Sequence, residues 1–199
     1  MTVAEHPIIG TYDDERHVYE YAGRKLLSIT EVMTTAGLYD GMIGDEFALW
    51  RGTAVHKAVE LHVLGTLDVE TVDERIRPCL QAYIDFEKAT GFKVIEAEKA
   101  FFNAPLGLAG KPDLLGKFPN GAEAIVELKS GALAPRVGVQ TAGQDIVIGG
   151  GITRMRYGLS IPTSGKPRVL PYRDSNDYRV FLACVTLASW KQNTKTGGY

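Results

Sequence analysis

The feature that most constrains this chain is a turn near its middle. Pro119-Asn120-Gly121 separates two apolar segments, residues 106–118 and 122–129. Proline suits the first central position of a type I turn, asparagine the second, and glycine the left-handed position that follows. That is a three-residue hairpin loop with a bulge, and closing it sets a register. Phe118 then faces Ala122, Asp113 lies opposite Glu127, and Lys111 lies opposite Lys129. Side chains alternate along a strand, so Glu127 and Lys129 share a face with Asp113. The other face, Ala124, Val126 and Leu128, is apolar and can bury against helices.

Two carboxylates opposed across a sheet repel, and a neighbouring lysine offsets only part of that cost. A hard divalent cation resolves the conflict, because carboxylate oxygens, a backbone carbonyl and waters are what Mg²⁺ or Mn²⁺ prefers. Such an ion polarises a phosphoryl oxygen and lowers the pKa of a bound water, which Lys129 would help orient while stabilising developing charge. An exposed hairpin with ordinary charges is the competing explanation of the same pair.

Helical patterns surround this centre. A short hairpin is expected over residues 18–27 around Ala22-Gly23, followed by a capping box, Ser28 with Glu31, that opens a helix over 29–36 before Gly37. Apolar residues recur every three or four positions over 45–64 and 72–89, predicting two longer helices ended by Gly65 and Gly91. Residues 94–102 read as a strand before the hairpin. After it come a helix over 135–147, a flexible Gly149-Gly150-Gly151 corner, strands over 155–161 and 168–172, and a helix over 177–192. At 199 residues, 45% apolar and 23% charged, the chain suits one α/β domain, with 1–45 as an N-terminal hairpin and helix and 46–199 as the core.

A net charge of −2 excludes a uniformly basic nucleic-acid coat but permits a basic groove around an acidic centre. Cys79 and Cys184 form no Cys-x-x-Cys pair, so a zinc knuckle, an iron–sulfur cluster and a disulfide framework all lack ligands. With no signal-like start, Glu5 and His6 preceding Asp13 and Asp14, and no apolar run long enough for a span, the chain is expected in the cytoplasm, bacterial or of a phage-infected host.

Gly110-Lys111-Pro112-Asp113, followed by Glu127-Leu128-Lys129, resembles the bipartite signature of the PD-(D/E)xK nuclease superfamily. Gly52-Thr53-Ala54-Val55-His56 with Glu60, stacked on one helix face, resembles the Gly-x-x-x-His motif of its RecB-like, Cas4-like branch. The resemblance covers about half the chain and implies a restriction-endonuclease-like core, a central mixed β-sheet flanked by helices. It also implies that His56, Asp113, Glu127 and the backbone carbonyl of Leu128 hold one or two Mg²⁺ or Mn²⁺ ions. Glu98 lies beside them, Glu60 is a further candidate ligand, and Gln140 is the motif glutamine. The branch often has tyrosine where this chain has Gln144, and the cluster cysteines of Cas4-type members are missing. The implied activity is that of a phage-type, metal-dependent deoxyribonuclease without an iron–sulfur cluster, an exonuclease acting on DNA ends or single strands in recombination, replication or repair. A recombination or annealing protein is a possible partner. The alternatives are a non-cutting DNA-binding or assembly module on the same fold and a structure-specific or sequence-specific endonuclease.

Plainer explanations compete at several positions. Glu60 would orient His56 or pair with a neighbouring base. Alternation does not separate Glu96 from Glu98, and only the family position favours Glu98. Tyr12, Tyr19 and Tyr21 suit a half-buried hairpin as readily as stacking on bases. Arg136, Arg154, Arg156, Lys166, Arg168 and Arg173 would track a phosphate backbone or protect strand edges. His6, His17 and His62 have no motif context, and no Gly-Lys-Ser/Thr phosphate loop occurs.

Overall fold

The computed structural model describes residues 10–39, 46–151, 153–164 and 166–195. His6 and the expected helix start at Asp45 lie outside them. In chain order the elements are β1 (Thr11–Asp13), β2 (Val18–Tyr21), β3 (Arg24–Ser28), α1 (Ile29–Thr35), α2 (Glu46–Val63), α3 (Arg77–Thr90), β4 (Lys93–Ala97) and β5 (Phe101–Asn103). They continue with β6 (Leu108–Gly110), β7 (Leu114–Lys117), β8 (Glu123–Lys129), α4 (Arg136–Ile148), β9 (Met155–Ser160), β10 (Arg168–Pro171) and α5 (Asn176–Lys195). The class is α/β, with two mixed sheets flanked by helices. The expected central sheet has the order β10-β9-β8-β7-β4, and a second has β1-β2-β3-β6-β5. Each is mixed because of one parallel pair, β8 with β9 in the first and β3 with β6 in the second.

The central turn forms as its residues dictate. The Phe118 N–H donates to Ala122 O at 3.1 Å, and Leu114 pairs with Val126 and Lys117 with Glu123, the register read from the turn. Ala124, Val126 and Leu128 bury against α2 and α3, in a cluster that includes Val55, Val59, Leu80, Tyr83 and Phe86. The opposite face of β8 lies under α4, so this strand is covered on both sides and Ile125 and Glu127 are buried too.

Two expected strands are each divided between the sheets. Residues 94–102 become β4 in one sheet and β5 in the other; 106–118 become β6 and β7. Pro112 has no N–H to continue a ladder, and Glu98 adopts a left-handed φ of 49°, turning the chain out of β4. The two crossing points are tied together, since the Glu98 N–H donates to Asp113 O at 3.0 Å. Lys111 therefore does not lie opposite Lys129: its strand has already left that sheet.

Elsewhere the local signals hold. The Ser28–Glu31 capping box opens α1. Ala22 and Gly23, both at positive φ, turn β2 into β3. The second long helix starts five residues later than its periodicity indicated, because the Asp73 side chain accepts the Arg75 N–H in a local turn and Pro78 sits in the first turn of α3. Arg154 and Arg156 are buried ion-pair partners, not a basic track: Arg154 meets Asp145 at 3.0 Å and Arg156 meets Asp177 at 2.9 Å, joining β9 to α4 and α5. Both cysteines are free and buried. Among the described residues no helix is long and apolar enough to cross a membrane.

The β4–β7 contact is close enough to test. A Cβ at Gly116 would stand 2.4 Å from the Lys93 carbonyl oxygen and 2.6 Å from Phe92 Cζ. Gly116→Ala is expected to cost about 1–3 kcal/mol, read as a lower urea midpoint; an unchanged midpoint would contradict this apposition.

Candidate metal centre

The candidate site lies at the seam where the chain passes between sheets. His56 reaches it from α2, Glu98 from the β4–β5 crossing and Asp113 from the β6–β7 crossing. His56 Nδ1 is 3.2 Å from Asp113 Oδ1 and 3.6 Å from Glu98 Oε1. One ligand atom from each of the three lies within 4.8 Å of the others. Gly52, one turn before His56, faces open space, and a cavity of about 390 Å³ runs past it along Thr53, His56, Glu60, Glu98 and Lys111. A second cavity, about 230 Å³, lies between His56, Glu98 and Asp113 and the residues Tyr12, Tyr19, Gln140 and Gln144.

Beside this trio is a buried, fully partnered carboxylate. Glu127, 2% exposed, accepts from Lys129 Nζ at 2.6 Å and Gln140 Nε2 at 2.6 Å on Oε1, and from Gln144 Nε2 at 2.7 Å on Oε2. Asp113 Oδ2 accepts the Leu128 N–H at 2.6 Å. These bonds offset desolvation that an unpaired buried carboxylate could not withstand.

Ionisation follows from this geometry. Burial first, and the Glu127 charge second, push the Asp113 carboxyl up to about 6. Burial opposes ionisation of Glu127 as well, but the Lys129 ammonium and the Gln144 amide hold it below the usual carboxylate range. Burial works against the His56 imidazolium, yet the facing Asp113 and Glu98 carboxylates outweigh it and hold the group well above its ordinary value. Lys129 is kept protonated against burial by Glu127 and Asp113.

The donor set fits a divalent cation. It offers one imidazole nitrogen and two carboxylates converging from three chain segments. A buried acceptor, Gln144 Oε1, has no hydrogen-bond partner and lines the same cavity.

The other expected residues take distinct places. Gln140 enters the site, donating to Glu127 and accepting from the Tyr39 hydroxyl at 2.9 Å. Glu60 pairs with Lys57 at 2.8 Å and stands at the cavity wall, apart from the trio. Leu128 packs its side chain in the core and gives its N–H to Asp113. Glu96 pairs with Lys99 near the surface, so the crossing selects Glu98 as the inward acid. Three further residues take part without a role assigned by the motifs: Gln144, Tyr39 and Lys111. Gln144 follows Gln140 by one helical turn, a spacing that places both on the face of α4 over β8. Lys111 pairs with Glu98 at 3.1 Å and Asp14 at 3.3 Å, and nothing local in the sequence indicates that pairing. Tyr12 and Tyr19 stack on each other with ring centroids 4.4 Å apart, the structural explanation of these tyrosines.

No protein family matches the chain, and no curated protein matches it. Among solved structures it is similar to LHK-Exo in complex with dAMP, at 14% identity over 87% of this chain and 94% of that one, with a TM-score of 0.40.

The raised His56 value carries a sign. A folded-state pKa above the unfolded one contributes stability that is complete at low pH and lost as pH rises through the folded value. In the metal-free protein the His56 ring protons are expected to titrate by NMR with a midpoint above 6.5, falling in Asp113→Asn; a wild-type midpoint at or below 6.5 would contradict the arrangement.

Proposed function

We propose that this chain is a divalent-metal-dependent deoxyribonuclease, an exonuclease that hydrolyses phosphodiester bonds at DNA ends during recombination, replication or repair. The observation that carries the reading is the convergence of His56, Glu98 and Asp113 within 4.8 Å at the seam, next to the Glu127–Lys129 pair. The sequence resemblance built on Asp113, Glu127-Leu128-Lys129 and Gly52…His56 supports it independently of that geometry.

In this reading His56, Glu98 and Asp113 hold a Mg²⁺ or Mn²⁺ ion, with Glu127 and the Leu128 carbonyl completing its surroundings. When bound, the ion supplies Lewis-acid polarisation of the scissile phosphate and a water of lowered pKa. The chain's own groups do the rest. Glu127, fixed by three side-chain donors, holds the Lys129 ammonium in place. Lys129 Nζ, with one of its three protons on Glu127, turns the others to the charge developing on the phosphoryl oxygens. Gln144, its amide group donating to Glu127, holds that carboxylate from the α4 side. Gln140, braced by Tyr39, fixes the other side of the same carboxylate.

The test is incubation of the purified protein with end-labelled linear and closed circular DNA, in Mn²⁺, Mg²⁺ or chelator. Expected is loss of label from linear DNA only, abolished by chelator. Lys129→Ala and Glu127→Ala are each expected to lower turnover at least about 100-fold while DNA binding stays measurable. Chelator-resistant cleavage, or full activity in either variant, would overturn the mechanism, and cleavage of circles would overturn end dependence. Binding without cleavage under every condition would identify a non-cutting DNA-binding module instead.

A further inference from the structure

Three cavities meet at one side chain beside the metal centre, and the motifs give that side chain no role. His17 lines the cavity of about 390 Å³ along α2, the cavity of about 230 Å³ over His56, Glu98 and Asp113, and a third of about 610 Å³ between α1 and the β1–β2 turn. The first and the third have no other residue in common, so a ligand passing from one to the other crosses His17 beside the acids. His17 ends the turn from β1 to β2 with a left-handed φ of 52°. Glycine or asparagine meets that demand more cheaply, and any other residue stays there only when its surroundings hold it. The Tyr12 hydroxyl does so from 2.9 Å, on Nδ1, and Tyr12 is itself stacked on the buried Tyr19. With Nδ1 taken, Nε2 is the ring nitrogen left for a ligand. It carries a proton both in the tautomer that accepts the tyrosine hydroxyl and in the imidazolium, so in either form it donates.

The third cavity is lined as a track for a phosphate backbone. Ser28, Thr30 and Thr34 bring hydroxyls from α1 and its cap, Arg16 comes from the β1–β2 turn and Lys25 from β3. Hydroxyls and cations of this kind bind phosphate oxygens whatever the base. The acids on the path already face lysines, Asp14 facing Lys111 at 3.3 Å and Glu31 facing Lys25 at 3.5 Å. Asp13 and Glu15, in the same turn, line none of the three cavities. Arg16 has no acid partner among the described residues, which leaves its charge for a ligand. At about 610 Å³ the cavity has the size of a small-molecule pocket, enough for a short stretch of one strand and not for a duplex.

We propose that the DNA strand being cut passes the metal centre beside His17, whose Nε2 donates to one of its phosphates, and continues as a single strand into the cavity between α1 and the β1–β2 turn. The inference rests on the nuclease reading above and deepens it. His17 is a substrate-binding residue that sets the register of the backbone against His56, Glu98 and Asp113. Tyr12 acts through it, by fixing the ring from the Nδ1 side.

The test reads binding rather than turnover. The full-length Lys129→Ala protein in Mg²⁺ is titrated into a labelled single-stranded oligonucleotide and followed by fluorescence anisotropy, with one phosphate at a time replaced by an uncharged methylphosphonate. One position is expected at which the replacement weakens binding about tenfold. His17→Asn and His17→Gly, both of which accept left-handed backbone, are expected to weaken binding of the unmodified strand by a similar factor. Both are expected to be indifferent to the methylphosphonate at that one position and to respond as before at the others. A histidine that only shapes the turn would lower the urea midpoint and leave every position of the scan additive. Additive losses at all positions, wild-type affinity in both His17 variants, or binding of duplex but not of single strands would overturn the proposal. Failure to bind DNA in either form, or chelator-resistant cleavage by the wild type, would instead overturn the nuclease reading, so the two failures are told apart.

Discussion

The structure depends on burying a carboxylate pair that has every electrostatic reason to stay apart. Asp113 and Glu127 come from adjoining segments of the central hairpin, both almost wholly removed from water. Desolvation and mutual repulsion would expel them from an ordinary core. They are kept by specific donors: three side chains on Glu127, a backbone N–H and an imidazole on Asp113. Those donors come from α2, α4 and β8, so satisfying the acids fixes how helices dock on the central sheet. The result is an asymmetry. Glu127 is held ionised and closed, whereas Asp113 is pushed up to about 6 and keeps one oxygen turned to the seam. In the proposed reading, one acid anchors the site and the other gives up its proton to a cation.

The seam is what makes a site of these residues. Neither sheet alone brings His56, Glu98 and Asp113 together. The chain must leave the central sheet after β4, enter the N-terminal sheet as β5 and β6, and return as β7. At both crossings the backbone departs from a strand, through the left-handed Glu98 and through Pro112, and at both crossings it presents a candidate ligand. Left-handed backbone at a non-glycine residue costs roughly 1–3 kcal/mol and persists only where surroundings impose it. Here the Glu98 N–H bond to Asp113 O and the Lys111 ion pair supply that constraint.

Much of this was legible in the sequence because its signals are local. Pro119-Asn120-Gly121 specified the hairpin and its register, the alternation along β8 separated core from site residues, and the Ser28–Glu31 box marked the start of α1. What escaped was the assignment of strand halves to sheets. An extended run of apolar residues gives the strand but not its partner, so residues 94–102 and 106–118 each read as one strand. From that follow the misplacement of Lys111 and the ambiguity between Glu96 and Glu98, since alternation assumes a strand that does not turn. Gln144 escaped for a different reason. Its position is one where the resembled branch has tyrosine, yet its place one turn after Gln140 puts it over Glu127. The arginines of the C-terminal half mislead in the same way: charge in a sequence gives no burial, and Arg154 and Arg156 are spent inside the fold.

The central claim is that a divalent ion belongs among His56, Glu98 and Asp113. The most direct measurement is anomalous scattering from crystals soaked in manganese, recorded on either side of the manganese absorption edge. The account predicts one strong peak at the seam, within coordinating distance of these three side chains. Anomalous density elsewhere on a catalytically active protein, with the three side chains still paired as His56 pairs with Asp113 here, would contradict it.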